Sequence, residues 1–267
     1  MTAPVFLALT PGQVPGVGQT LTITGSEAHH MAVMRLNAGE RIDLVDGEGT
    51  RARAVVRHCE RRCAEVDILD VTTDEVASPR LIMVQALAKG GRDQHAIEMA
   101  TEIGVDTIVA WQSQRSIVRW EHASVDRHLG KWRDTVVAAT KQSRRARLPQ
   151  LGFAANVRQV IERVREAGGD DVIVLVLHES ATTPVTEVVT QAKPASAIAV
   201  VVGPEGGITD AELGEFSGSG AHVVVIGDTV MRASTAGVVG LSAARALAGH
   251  LWSDTASERT PTAPSAR

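Results

Sequence analysis

The sequence has no tyrosine, three phenylalanines and four tryptophans among its 267 residues. So few rings exclude an aromatic base-stacking platform of the kind that single-strand RNA binders use. Two cysteines, Cys59 and Cys63, are too few for a disulfide framework, and no second pair follows to complete a zinc site. They are expected to be ordinary thiols of a reducing cytoplasm, and no metal is expected. Neither sign of charge dominates: 27 Lys and Arg against 31 Asp and Glu leave a formal charge of -4. A globally basic nucleic-acid binder is thereby excluded, and only a local basic patch remains available. No apolar run approaches the roughly 20 residues of a membrane span, and the N-terminus has no signal-peptide pattern. No membrane partner is expected, and the localisation read from these features is cytoplasmic.

What is present is an ordinary globular composition, 44% hydrophobic, in a chain long enough for two modest domains. Residues 1–72 read as a small, mostly antiparallel β domain of barrel-like form. Segments 20–24, 41–45, 50–57 and 64–71 alternate, and Asp46-Gly47 with Glu48-Gly49 marks a hairpin turn. Residues 73–79, polar and ending in Pro79, read as a linker. Residues 80–252 form the second domain, and 253–267, rich in Thr, Ser, Ala and Pro, a disordered tail.

The second domain alternates. Strands are expected at 81–86, 107–111, 172–177, 197–202 and 222–226, and helices at 93–103, 126–147 and 237–250. Such alternation predicts an α/β fold with a parallel sheet covered on both faces. Three of these strands end in polar or glycine-rich loops: His178-Glu179-Ser180, Gly203-Pro204-Glu205-Gly206-Gly207, and the segment from Gly227 to Ala236. Ligands of open α/β sheets sit outside the carboxyl ends of the strands. After the second loop Thr209 and Glu212 have capping-box spacing, so strand, loop and helix start follow one another directly. A P-loop would need a Lys-Ser/Thr pair after the glycines, which this loop lacks.

One segment is locally basic. Lys131, Arg133, Lys141, Arg144, Arg145 and Arg147 face a single acid, Asp134. A solvated helix face and a salt-dependent RNA contact both remain open for it.

Taken together, Gly203-Pro204-Glu205-Gly206-Gly207, Ile226-Gly227 and Met231-Arg232 before Thr235-Ala236 resemble the RsmE family. Its members are S-adenosylmethionine-dependent methyltransferases of small-subunit ribosomal RNA within the SPOUT superfamily. Further matches are 29–35 (His-His-Met-Ala-Val-Met-Arg), Gly39, Lys89-Gly90, Glu102-Ile103-Gly104-Val105, Gln114-Arg115-Ser116 and Gln142-Ser143 with Arg145 and Pro149. The resemblance runs from His29 to Leu247. Lys141 stands where the family usually has glutamate, Arg144 where it has glycine, and Ser234 where it has glutamate. The family's basic residue near the N-terminus is missing from residues 2–6.

The resemblance implies a PUA-like N-terminal β-barrel, a C-terminal domain with a deep trefoil knot, and a homodimer with the active site at its interface. It implies S-adenosyl-L-methionine held by Leu177, His178, Glu179, Gly203, Pro204, Glu205, Gly206, Gly207, Ile226, Gly227, Met231, Ser234, Thr235 and Ala236. The implied partner is 16S rRNA within the assembled small subunit, near the decoding centre, and the implied target is N3 of a uridine. Arg232 is the catalytic candidate. Arginine stays protonated and cannot be the base, but it can stabilise an imidate. RNA contact falls to Arg115, Gln142, Arg144, Arg145, Arg147, His29, His30 and Arg35, although His29 and His30 also read as half-buried strand-end residues. Ribose 2′-O-methylation and a non-catalytic rRNA-binding assembly factor remain alternatives.

Overall fold

The structure, a computed structural model, describes residues 3–251. The segment 253–267 expected to be disordered lies outside the described residues. Two sheets carry the fold. The first contains β1 (Val5–Leu7), β2 (Thr20–Thr24), β3 (Arg41–Val45), β4 (Thr50–Glu60) and β5 (Cys63–Thr73), in the order β1-β3-β4-β5-β2. Only the β1–β3 pairing is parallel. Alternation puts Ala52, Ala54 and Val56 of β4 and Ala64, Val66 and Ile68 of β5 on one inner face, around Phe6, Ile42 and Leu44. Register shifts at Arg53/Ala54 and Val56/His58 bend this sheet. Asp46 closes the expected β3–β4 turn by accepting the Glu48 and Thr50 amides at 2.7 and 2.9 Å.

An element not anticipated from the sequence seals the module. Helix α1 (Gly25–Val33) buries Ala28 and Met31 against the sheet. His29 and His30 therefore lie on a helix and not at a strand end. The helix is only nine residues long; Thr24 and Glu27 have capping-box spacing, a start signal missed by sequence reasoning, although Thr24 makes no side-chain cap bond. Cys59 and Cys63 are free.

The second sheet is wholly parallel and has six strands, one more than expected, in the order β11-β9-β10-β6-β7-β8. The strands are β6 (Arg80–Ala86), β7 (Thr107–Trp111), β8 (Gln150–Ala154), β9 (Val172–Leu177), β10 (Ala197–Val202) and β11 (His222–Val224). The helices are α2 (Arg92–Glu102), α3 (Val125–Gln142), α4 (Val157–Gly168), α5 (Val185–Gln191), α6 (Asp210–Gly218) and α7 (Ala233–Leu251). α2, α3, α5 and α7 cover one face, α4 and α6 the other. The unanticipated strand β8, Gln-Leu-Gly-Phe-Ala, has no β-branched residue and a central glycine, which hid it. All of β10 is buried, as a central parallel strand requires.

Two boundaries differ from expectation in ways that matter. α3 stops at Gln142, because Arg144 adopts φ +58°, a left-handed conformation that ends a helix. Arg144, Arg145 and Arg147 thus belong to the segment leading into β8, not to a helix face. α7 starts at Ala233, one turn before the expected Gly237. It lies close on the sheet. A Cβ at Gly237 would stand 3.0 Å from Met83 Sδ, and one at Gly240 would stand 3.0 Å from Val200 Cγ1. Buried Ala236, Leu241, Ala244 and Ala248 pack within the chain, so its apolar face is used internally.

Candidate functional site

The loops after β9, β10 and β11 converge at the carboxyl end of the sheet. They enclose a cavity of about 370 Å³, within the usual size of a small-molecule site. Its lining includes Leu177, His178, Glu179, Gly203, Pro204, Glu205, Gly207, Ile226, Gly227, Met231, Arg232 and Ala236 from the sequence-derived set. Gly206, Ser234 and Thr235 are not part of the lining. Gly206 faces the other way: a Cβ there would stand 3.1 Å from Arg115 Cβ. Ser234 is buried in the first turn of α7 and Thr235 is exposed.

Arg92, Val202 and Ile208, missed by sequence reasoning, join the wall together with Asp228, Thr229 and Val230 of the loop from Gly227 to Ala236 that it singled out. Arg92 follows Lys89-Gly90-Gly91 at the end of β6. The strand-end rule applied to the three later strands would have found it there too. Its guanidinium donates to Glu205 Oε1 at 2.8 Å on the rim. Behind it Asp93 is buried at the start of α2. Burial raises its carboxyl above the ordinary range, opposed by backbone donors that include the Gln94 amide at 2.8 Å. His178 Nδ1 lies 2.8 Å from Ser180 Oγ and fixes the turn after β9.

The cavity wall is tied to the next loop by one carboxylate. Glu212, 2% exposed, accepts from the Gln114 amide (2.8 Å), the Thr209 amide (3.0 Å), Thr209 Oγ1 (3.0 Å) and Ser113 Oγ (3.2 Å). The expected capping box is present, with the Glu212 amide donating to Thr209 Oγ1 at 3.2 Å. This joins the loop after β10 to residues 113–116, and Arg115 then donates to the Gly206 carbonyl at 3.2 Å. Exposed Ile117 and Val230, at 65% and 80%, lie beside these two loops.

The residues expected at RNA divide into two groups. Gln142, Arg144, Arg35 and His29 are exposed. Arg145 is half-buried, donates to the Thr101 carbonyl at 3.0 Å, and stands 3.9 Å from Asp106. Burial lowers its guanidinium pKa, with Asp106 opposing. Arg147 donates to the carbonyls of Asp74, at 2.8 and 3.2 Å, and of Glu48. A side chain at Gly49 would overlap that guanidinium. Arg51 completes the seam, pairing with Asp43 and Asp74 at 3.0 Å and donating to the Arg144 carbonyl at 2.9 Å. Lys141 reaches the N-terminal module as well, 2.9 Å from Glu27 Oε1 and 3.4 Å from His30 Nδ1.

Comparison with known proteins gives consistent relatives. A profile for an RNA methyltransferase domain matches residues 76–245, and one for an RNA methyltransferase PUA domain matches 23–69. Ribosomal RNA small subunit methyltransferase E of Mycobacterium bovis is 39% identical over 92% of this chain and 93% of its own length. The Bacillus subtilis protein of that name is 25% identical over 89% of this chain and 94% of its own. A crystal structure of ribosomal RNA small subunit methyltransferase E from Neisseria gonorrhoeae, bound to S-adenosyl methionine, superposes with a TM-score of 0.79 at 26% identity. It covers 92% of this chain and 98% of that one. A Legionella pneumophila methyltransferase in complex with the same cofactor gives 0.78 at 25% identity, over 92% and 98%.

Proposed function

The chain belongs to the RNA methyltransferase family that includes ribosomal RNA small subunit methyltransferase E, and from that premise we propose that it methylates N3 of one uridine in 16S rRNA. S-adenosylmethionine is the methyl donor, and the assembled small subunit near its decoding centre is the substrate. The observation that carries this reading is the cavity at the ends of β9, β10 and β11, with Arg232 in its wall.

The lining suits that donor. Leu177, Val202, Ile226 and Ala236 offer apolar surface for a flat base, and backbone groups of the three loops are available to polar edges. Nothing stands within 4 Å of a Cβ position at Gly227, so the backbone there is bare. Arg92 and Glu205 neutralise each other, which leaves Glu179 and Asp228 facing Arg232 alone. Such a wall disfavours a polyphosphate and favours a ligand with cationic sulfonium and ammonium groups. When bound, the donor supplies an electrophilic methyl group.

The protein's own task is to align the nucleophile and manage its charge. Uridine N3 is an imide, a poor nucleophile until its proton leaves. Arg232 would face the developing negative charge on O2 or O4 and lower the basicity required of the proton acceptor. N3 lies on the Watson–Crick edge, so the base must be unpaired to react. Arg115, which reaches the loop after β10, would hold the RNA near that base, while exposed Gln142 and Arg144 precede β8 at the opposite end of the sheet and would meet the RNA farther away. Arg145 and Arg147 act on RNA through the segment they brace, and His30 through α1.

We further propose a homodimer closed across the site, supported by exposed Ile117 and Val230 beside it. A knotted C-terminus is supported by the path from edge strand β11 across β9 and β10 to lay α7 on β6.

The test is incubation with labelled S-adenosylmethionine and small subunits from cells lacking this protein, followed by nucleoside mass spectrometry. A gain of 3-methyluridine is expected. A 2′-O-methylated product would overturn the N3 assignment, and no transfer with cofactor binding intact would favour the assembly-factor reading. Arg232→Ala is expected to lower kcat by about 10²–10³ while calorimetric affinity for the cofactor is retained. Lost cofactor affinity would reassign Arg232 to binding.

A further inference from the structure

Three arginines of the N-terminal module, all on β4, are neutralised. Arg51 pairs with Asp43 and Asp74, Arg53 with Asp70 at 3.3 Å, and Arg57 with Asp67 at 3.1 Å. Arg35, Arg41, Arg61 and Arg62 are exposed without such a pair among the described residues, and of these Arg61 and Arg62 stand side by side. They form the turn between β4 and β5, are exposed, and make no ion pair with any described residue. With Gly25 and His29 of α1 they line a shallow concavity of about 550 Å³ that shares no residue with the cofactor cavity.

We propose that Arg61, Arg62 and His29 grip the phosphodiester backbone of the substrate RNA away from the methylated nucleotide. The proposal rests on reading the chain as an rRNA methyltransferase and names a second contact for that substrate. No carboxylate lines the concavity. The two guanidiniums are rigid forks of donors with no acceptor, so the occupant must supply anionic oxygens. No Phe or Trp lines it, so contact is to the backbone and not to stacked bases, and it sets position without reading sequence. α1 provides continuity with the catalytic domain. It presents His29 to the concavity, and Glu27 and His30 to Lys141, beside exposed Gln142 at the end of α3. In a chain of net charge -4, a pair of unneutralised arginines at this place is a selective attraction for a polyanion.

The experiment uses the full chain and a single-stranded RNA oligonucleotide of arbitrary sequence, with affinity measured across a salt series. In R61E/R62E the slope of log K against log salt is expected to flatten by about 1.4, at about 0.7 per lost cation. Cofactor affinity by calorimetry should not change, and the subunit concentration for half-maximal methylation should rise. An unchanged RNA affinity and slope would overturn the proposal. So would a variant that keeps its RNA slope but loses binding to polyglutamate, since the patch would then serve an acidic protein. Failure of the wild-type protein to methylate any rRNA would instead sink the proposed function, with the salt series still deciding the patch.

Discussion

Asp93 illustrates how one side chain sets a pH dependence. Its carboxyl is raised by burial in the fold. The folded state therefore holds the proton to a higher pH than the unfolded chain does, and stability falls as pH climbs above the ordinary carboxylate range. Asparagine keeps an acceptor for the Gln94 amide and cannot ionise. D93N is expected to melt above the wild type at neutral pH, with the difference shrinking as pH falls toward about 4. Thermal melts at several pH values check this, and a difference that does not vary with pH would count against it. Residue-level reading also explains two departures from the family pattern. The family's glycine position is Arg144, whose φ of +58° is what a glycine adopts without strain. The family's glutamate position is Lys141, which here answers a carboxylate, Glu27, across the module boundary.

At the scale of elements, the Glu212 carboxylate holds the start of α6, the loop after β10 and the loop after β7 in one arrangement. Glutamine would replace one acceptor oxygen with a donor facing the amides of Gln114 or Thr209. E212Q is expected to cost about 1–3 kcal/mol, read as a lowered Tm, and to speed amide exchange at Gln114. The sequence made much of this visible. The strands after which the cavity loops begin were readable because 172–177 and 197–202 are unbroken aliphatic runs, and the capping box because Thr209 and Glu212 are three apart. The end of α3 was not readable, since Ser143 and Arg144 do not stop a helix by composition and the backbone conformation does. α1 is signalled by Thr24 and Glu27 but spans only nine residues between strands, too short for a clear helical period, and β8 was hidden by a glycine that pairs with β7 in spite of low strand propensity. Gly206 read as a cavity glycine because spacing cannot tell which side of a loop faces a ligand. Here the close approach is to Arg115.

For the whole molecule, Arg147 makes the most side-chain bonds at the seam between modules, reaching back 73 residues to the Asp74 carbonyl beside the contacts of Arg51 and Lys141. Arg147→Ala leaves the Glu48 and Asp74 carbonyls without that donor and is expected to cost about 1.5–3 kcal/mol of docking. The modules should then unfold in separate calorimetric transitions, while cofactor affinity stays that of the wild type; a single transition at the original Tm would show that the seam does not depend on Arg147. The sheet order has a consequence of another kind. β10 lies between β6 and β9, yet both of these precede it in the chain. As the nascent chain leaves the ribosome, β6 can pair with β7 while its other edge stays bare until β10 arrives. That edge is apolar, and bare strand edges are where unfinished chains associate. The same order assembles the cavity last, since apart from Arg92 its lining residues all come from 177 onward. An enzyme that serves ribosomes thus gains its own site only near the end of its passage through one.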